Sequence, residues 1–248
     1  FMNQEHFTTA MINNTIESYD LANADKLINF IYKNPLKLGI ASLARIAELT
    51  NSKRENNSAY YTNKFIINEI YKQLPEFEKD QISILEPSVG IGNFLPFIFR
   101  KYEKTKKVCL DIVDIDKKNI AILKLLLDKY DIPSNFKINY IIANTLLYEF
   151  DKRYDLVIGN PPFTKLKSKD AKKYLSNNVN KITTNTFEFF LEKAISIADY
   201  VVMITPKSVL NTPEFISTRK LLSTKKIDCI QDYGEKGFKG VLVETICL

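Results

Sequence analysis

The chain has 248 residues, 45% of them hydrophobic, and a net charge of +6. That size and apolar content can bury a full α/β core with a small attachment, and the positive balance favours a polyanionic partner. Three cysteines without C-x-x-C spacing and a single histidine, His6, argue against a zinc site, a disulfide framework and histidine-based hydrolysis.

Residues 1–50 read as helices, with apolar faces over 22–32 and 38–49 and an interruption at Pro35. They show no chemistry and are expected to pack on the rest of the chain, with contact to a nucleic acid as the alternative. Residues 51–58 are polar and read as a linker. From residue 59 to 248, strands and helices alternate, which predicts an α/β domain with a mainly parallel sheet. Strands are expected at 82–86, 108–113, 137–142, 154–159, 200–204, 227–232 and 240–247. No apolar stretch reaches membrane-spanning length, and the expectation is a soluble cytoplasmic protein without a membrane partner.

The strand at 82–86 runs into Glu86, Pro87, Ser88, Gly90, Gly92, Asn93 and Phe94, ahead of a helix to about residue 101. The glycines allow a tight turn and close approach of a ligand to the backbone. A dinucleotide fingerprint would place a third glycine at 95, where this chain has Leu95, and no G-x-x-x-x-G-K-[ST] is present. A pyrophosphate cradle is therefore disfavoured. A glycine turn opened by an acid suits a ligand with a cationic end. The next strand ends in Asp114, Ile115 and Asp116. Asp116 is placed to accept from ribose hydroxyls, and it can equally cap the following helix.

The most telling segment closes the strand at 154–159. Gly159 is followed by Asn160, Pro161, Pro162 and Phe163. The prolines fix φ and hold the turn open, so an amide oxygen, a carbonyl and a flat ring converge at the strand's carboxyl end. That set suits the exocyclic amine of a planar heterocycle. Lys165, Lys167, Lys169, Lys172 and Lys173 crowd the loop that follows and are candidates for phosphate contact.

Together these segments resemble the S-adenosylmethionine-dependent N6-adenine DNA methyltransferases of restriction-modification systems, in the order where the cofactor motif precedes N-P-P-F. The resemblance runs from about residue 60 to 248. It implies a Rossmann-like methyltransferase fold, with a mainly parallel seven-stranded sheet, helices on both faces and an antiparallel last strand. Tyr61 and Thr62 are similar to a segment that faces the methionine end of the cofactor. The 86–94 loop with Ile115 and Asp116 resembles the cofactor site, to which Asn160 and Pro162 also contribute, and Asn160 to Phe163 resembles the catalytic tetrad. Segments 186–193, 203–210, 218–222 and 232–234 resemble the elements that follow. One position departs: Asn144 occupies the place of an acid that accepts from the cofactor's adenine amine. It can accept through oxygen but carries no charge.

The resemblance implies S-adenosylmethionine as cofactor, no metal, and double-stranded DNA as substrate, bound weakly and without sequence preference by this chain alone. A target-recognition domain or subunit and a restriction endonuclease are the further partners implied. Methylation of RNA or of a protein glutamine, and a catalytically silent subunit of the same fold, are the alternatives.

Overall fold

The computed structural model describes residues 8–50, 64–176, 178–234 and 244–248. Tyr61, Thr62, His6 and the expected linker at 51–58 lie outside the described residues. Seven strands form one sheet: β1 Gln81–Glu86, β2 Lys107–Asp114, β3 Phe136–Ile142, β4 Tyr154–Gly159, β5 Ala198–Pro206, β6 Gln231–Gly234 and β7 Thr245–Cys247. Their order is β3-β2-β1-β4-β5-β7-β6. The first five pair in parallel, and β7 runs antiparallel to both β5 and β6. This is the expected Rossmann-like α/β architecture.

The central strands are buried along most of their length, as a parallel sheet covered on both faces requires. The helices of this part are α4 Lys64–Gln73, α5 Leu95–Lys101, α6 Lys117–Leu127, α7 Ser168–Leu175, α8 Thr186–Ile197 and α9 Ile216–Leu222. One apolar cluster joins Ile66, Ile70, Ile84, Phe99 and Leu123 on one face, and another joins Leu85, Val157, Leu191 and Met203 on the other.

The chain leaves β1 toward β2 and β3, then returns to β4 on the opposite side of β1. The loops at the carboxyl ends of β1 and β4 therefore diverge, and this switch point opens the crevice where ligands bind in open α/β sheets.

The amino-terminal segment forms α1 Thr9–Ser18, α2 Ala24–Lys33 and α3 Ile40–Thr50. Asn23 caps α2 through bonds to the amides of Asp25 and Lys26, and Asn34 ends it in the left-handed region at φ 44°. Leu27, Phe30, Ile31, Leu43 and Ile46 pack with Ile91, Ile122 and Leu126, so the segment rests on the 86–94 loop and on α6.

Two expectations need correction. The stretch after the tetrad is not simply a loop, because residues 168–175 form helix α7. The sixth strand begins at Gln231 rather than 227. Gln231 pairs with Cys247, so antiparallel register carries residues 227–230 past the paired length of β7, and Ile227 and Ile230 stay largely exposed. Of the expected strand at 240–247, Thr245–Cys247 is observed, and 240–243 lie outside the described residues.

Candidate active site

The site is built from the carboxyl ends of β1, β2, β3 and β4. Glu86, the last residue of β1, is 2% exposed, and its Oε2 has no hydrogen-bond partner. Burial holds its carboxyl well above the ordinary glutamate range, and the charge of neighbouring Asp114 pushes the same way. An orphaned buried carboxyl oxygen at a sheet's ligand-binding edge is costly in the unliganded chain and suits a cationic ligand.

Asp114 closes β2 and pins the glycine turn. Its Oδ2 accepts from the Gly90 amide at 2.9 Å and its Oδ1 from the Asp116 amide at 2.7 Å. Burial raises its pKa, while these two backbone bonds pull the other way. Gly90 sits at φ +56° with no heavy atom within 4 Å of where a Cβ would stand, so the turn faces open space. At Gly92, φ is +81° and a Cβ would stand 2.7 Å from Leu123 Cδ1, so glycine lets the loop press onto α6. The motif reading misses Asp114. Its signal is an acid at the end of an apolar strand, two residues before the predicted ribose acid.

Asp116 is the N-cap of α6, its Oδ1 accepting from the Lys118 amide at 2.9 Å. Ile115 beside it is 70% exposed, an aliphatic side chain standing in water at the mouth of the loop. Phe94 goes the other way: it is buried at the start of α5, so its side chain serves the core and presents nothing to a ligand.

The β1 and β4 loops lock together. A Cβ on Gly159 would stand 3.2 Å from Pro87 Cδ, and the Ser88 hydroxyl donates to the Asn160 carbonyl at 3.4 Å. The Thr145 hydroxyl, beyond β3, donates to the Pro87 carbonyl. Asn144 accepts from the Leu146 amide through Oδ1 at 3.1 Å and donates from Nδ2 to the Tyr174 hydroxyl at 3.0 Å.

Pro161 is buried and Phe163 half-buried, its ring 6.0 Å from that of Phe187 and nearly perpendicular to it. Thr186 clamps the exit of the tetrad, its hydroxyl sharing one hydrogen between the carbonyls of Pro162 and Thr164 and its amide donating to the Thr164 carbonyl at 3.0 Å. Lys165 and Asn185 bridge as antiparallel neighbours, so the excursion between them leaves and rejoins the fold at one point. Its base is a buried polar knot. Asn180 is fully buried, donating to the Glu188 carboxyl at 2.7 Å and to the Glu214 carbonyl at 2.8 Å, while the Glu192 carboxyl accepts the Asn180 amide at 3.1 Å. Burial pushes the Glu188 and Glu192 pKa values up. Of the predicted basic residues, Lys165 lies 3.8 Å from Glu214 and Lys167 precedes α7; Lys169, Lys172 and Lys173 are exposed on that helix.

The amino-terminal helices contribute more than packing. Glu48 of α3 is 5% exposed, pairs with Arg45 at 2.8 Å, and accepts from Asn93 Nδ2 at 3.3 Å. The expectation of no chemistry in residues 1–50 is corrected to this extent: α3 touches the glycine loop. An acid within the buried stripe of Leu43, Ile46, Ala47 and Thr50 is the available signal.

A cavity of about 410 Å³ lined by Ala198, Tyr200, Val202, Asp228 and Gln231 could take a small ligand, but none of the predicted site residues lines it. It lies beside the unpaired 227–230 stretch, which marks it as a gap in strand packing. Among the described residues no group of three or more His, Cys, Asp or Glu could hold a metal ion, and no helix is long and apolar enough to cross a membrane.

The family model for the Eco57I restriction-modification methylases matches residues 31–238. Two curated relatives are 25% identical: the type II methyltransferase M.VspI of Vibrio sp. (strain 343), over 79% of this chain and 48% of its own, and the type II methyltransferase M.CvrRI of Paramecium bursaria Chlorella virus XZ-6E, over 71% and 43%. The chain thus spans about half the length of the curated relatives it matches. Among solved structures, the methyltransferase subunit of a type I restriction-modification system from Streptococcus thermophilus shares the fold at a TM-score of 0.62 and 14% identity, covering 84% of this chain and 48% of that one. The type IIG restriction endonuclease BpuSI does so at 0.59 and 19%, covering 84% and 27%.

Proposed function

The chain belongs to the Eco57I restriction-modification methylase family, and from that premise we propose that it transfers a methyl group from S-adenosylmethionine to the N6 amine of an adenine extruded from DNA. The observation that carries the reading is the juxtaposition at the switch point: the Asn160 to Phe163 turn leaves β4 against the loop that leaves β1, linked to it through Ser88.

The residues present fit the cofactor. Glu86 offers a buried, unpartnered carboxyl oxygen to a cationic end, Gly90 leaves room at the turn, and Asp116 and Ile115 offer a carboxylate and an apolar surface to a nucleoside. Bound there, S-adenosylmethionine supplies an electrophilic sulfonium methyl group.

The protein's task is then to aim a poor nucleophile, because the adenine N6 lone pair is delocalised into the ring. The Asn160 side-chain oxygen and the Pro161 carbonyl accept hydrogen bonds from the two N6 hydrogens and favour a pyramidal nitrogen; the methylated, positively charged nitrogen is acidic and then loses one proton to water. These acceptors stabilise the positive charge that develops on nitrogen, and orientation alone can contribute about 7–11 kcal/mol. Phe163 stacks on the target ring, worth roughly 1–3 kcal/mol. An adenine inside a duplex cannot reach this turn, so extrusion is required. Lys169, Lys172 and Lys173 contact phosphates beside the opened base, with a recognition domain or subunit supplying sequence preference.

The test is methyl incorporation from labelled S-adenosylmethionine into DNA, RNA and protein side by side. Label recovered in DNA as N6-methyladenine is the expected result. Label confined to RNA or protein would overturn the reading.

A further inference from the structure

Asn144 and Tyr174 form a contact that joins two parts of the site otherwise separate in the chain. Asn144 lies two residues beyond β3 and opens the turn over 145–147, its carbonyl accepting from the Leu147 and Tyr148 amides. Tyr174 lies in the last turn of α7, the basic helix that follows the tetrad. The Leu146 amide must face an oxygen, and at 3.1 Å it fixes Oδ1 of Asn144; Nδ2 is thereby turned to the Tyr174 hydroxyl at 3.0 Å. These bonds use one lone pair and one N–H of the carboxamide, which carries a second of each. Tyr174 is itself held, its ring 5.3 Å from buried Phe189 and 4.9 Å from the Lys173 ammonium.

We propose that Tyr174 is a positioning residue: it orients the Asn144 carboxamide toward the cofactor's heterocycle and couples that contact to the phosphate-facing helix α7. The proposal rests on the function proposed above and on the place beside the cofactor's adenine that the family resemblance implies for Asn144. An aspartate at 144 would present acceptors only, whereas a held carboxamide presents an acceptor and a donor together, the pair an adenine edge requires. Because the partner that holds it sits one residue from Lys173, filling the cofactor pocket and seating α7 on a polyanion favour the same arrangement.

The experiment is calorimetric titration of S-adenosylhomocysteine into the unaltered chain and into Tyr174→Phe. It is paired with the affinity of each for a mixed-sequence duplex, measured with and without that ligand. Loss of one net hydrogen bond should weaken ligand binding about fivefold in Tyr174→Phe. The gain in duplex affinity caused by the ligand should vanish in that variant, with its melting temperature little changed. Asn144→Asp should keep the contact with its polarity reversed, the tyrosine donating to a carboxylate, and so should keep the coupling. Equal ligand affinity in the unaltered chain and Tyr174→Phe, or an undiminished duplex gain, would overturn this proposal and leave the function reading intact. No ligand binding by the unaltered chain would overturn both.

Discussion

The two halves of the site are held in place by different means. The cofactor half takes its shape from backbone: positive φ at two glycines sets the turn, and Asp114 pins it by gripping the amides of Gly90 and Asp116. The base half is fixed by a wider set of buried polar side chains. Thr186 clamps Pro162 and Thr164 from 22 or more residues away, and Asn180 ties the excursion to Glu188, Glu192 and Glu214 through a buried polar knot. A glycine turn keeps its shape once an acid pins its amides, whereas a turn that must aim a nucleophile needs buried polar side chains packed around it.

If the halves are distinct, substitutions should separate them. The largest expected effect is Asn160→Ala, which should lower methyl transfer about a hundredfold or more while calorimetry finds cofactor affinity nearly unchanged. Parallel loss of both would merge the halves. Asp116→Ser keeps a helix cap and removes the charge, so the melting temperature should hold while cofactor affinity falls roughly tenfold or more. An unchanged affinity would leave Asp116 with the cap alone. Replacing Lys169, Lys172 and Lys173 by alanine should flatten the salt dependence of duplex binding, by roughly one unit of log–log slope for each phosphate no longer neutralised. Cofactor affinity should not respond. Glu48→Gln probes the reach of α3 into the loop through Asn93, and an affinity loss of about threefold is expected.

The smallest effect concerns pH. Burial raises Glu86 and Asp114 above their ordinary values, so each contributes most to the folded state below its ordinary pKa, and that contribution is lost as pH rises through the raised folded value. Thermal melts of the unliganded chain should therefore lose stability from about pH 4.5 upward for these groups, and Glu86→Gln should flatten part of the slope. A steeper fall in the variant would contradict the burial account.

What is legible in the sequence is what is local, in either half. The cofactor loop, the parallel core of the sheet and the N-P-P-F turn are local patterns, and the structure carries them where expected. Phe94 turns to the core because a motif position does not say whether a side chain faces core or crevice. Asp114, Glu48 and Tyr174 escape the sequence because their partners lie elsewhere in the chain, where no periodicity points. Helix α7 reads as a loop since its lysines dominate the composition and only Ala171 is buried from it. The start of β6 depends on register with β7, which hydrophobic pattern alone does not set.

The most direct test of the central claim is a crystal structure of the chain with S-adenosylhomocysteine. The ligand is expected along the 86–94 loop, its ribose at Asp116 and its sulfur facing the Asn160 to Phe163 turn. A ligand bound elsewhere, or one whose sulfur faces away from Asn160, would contradict it.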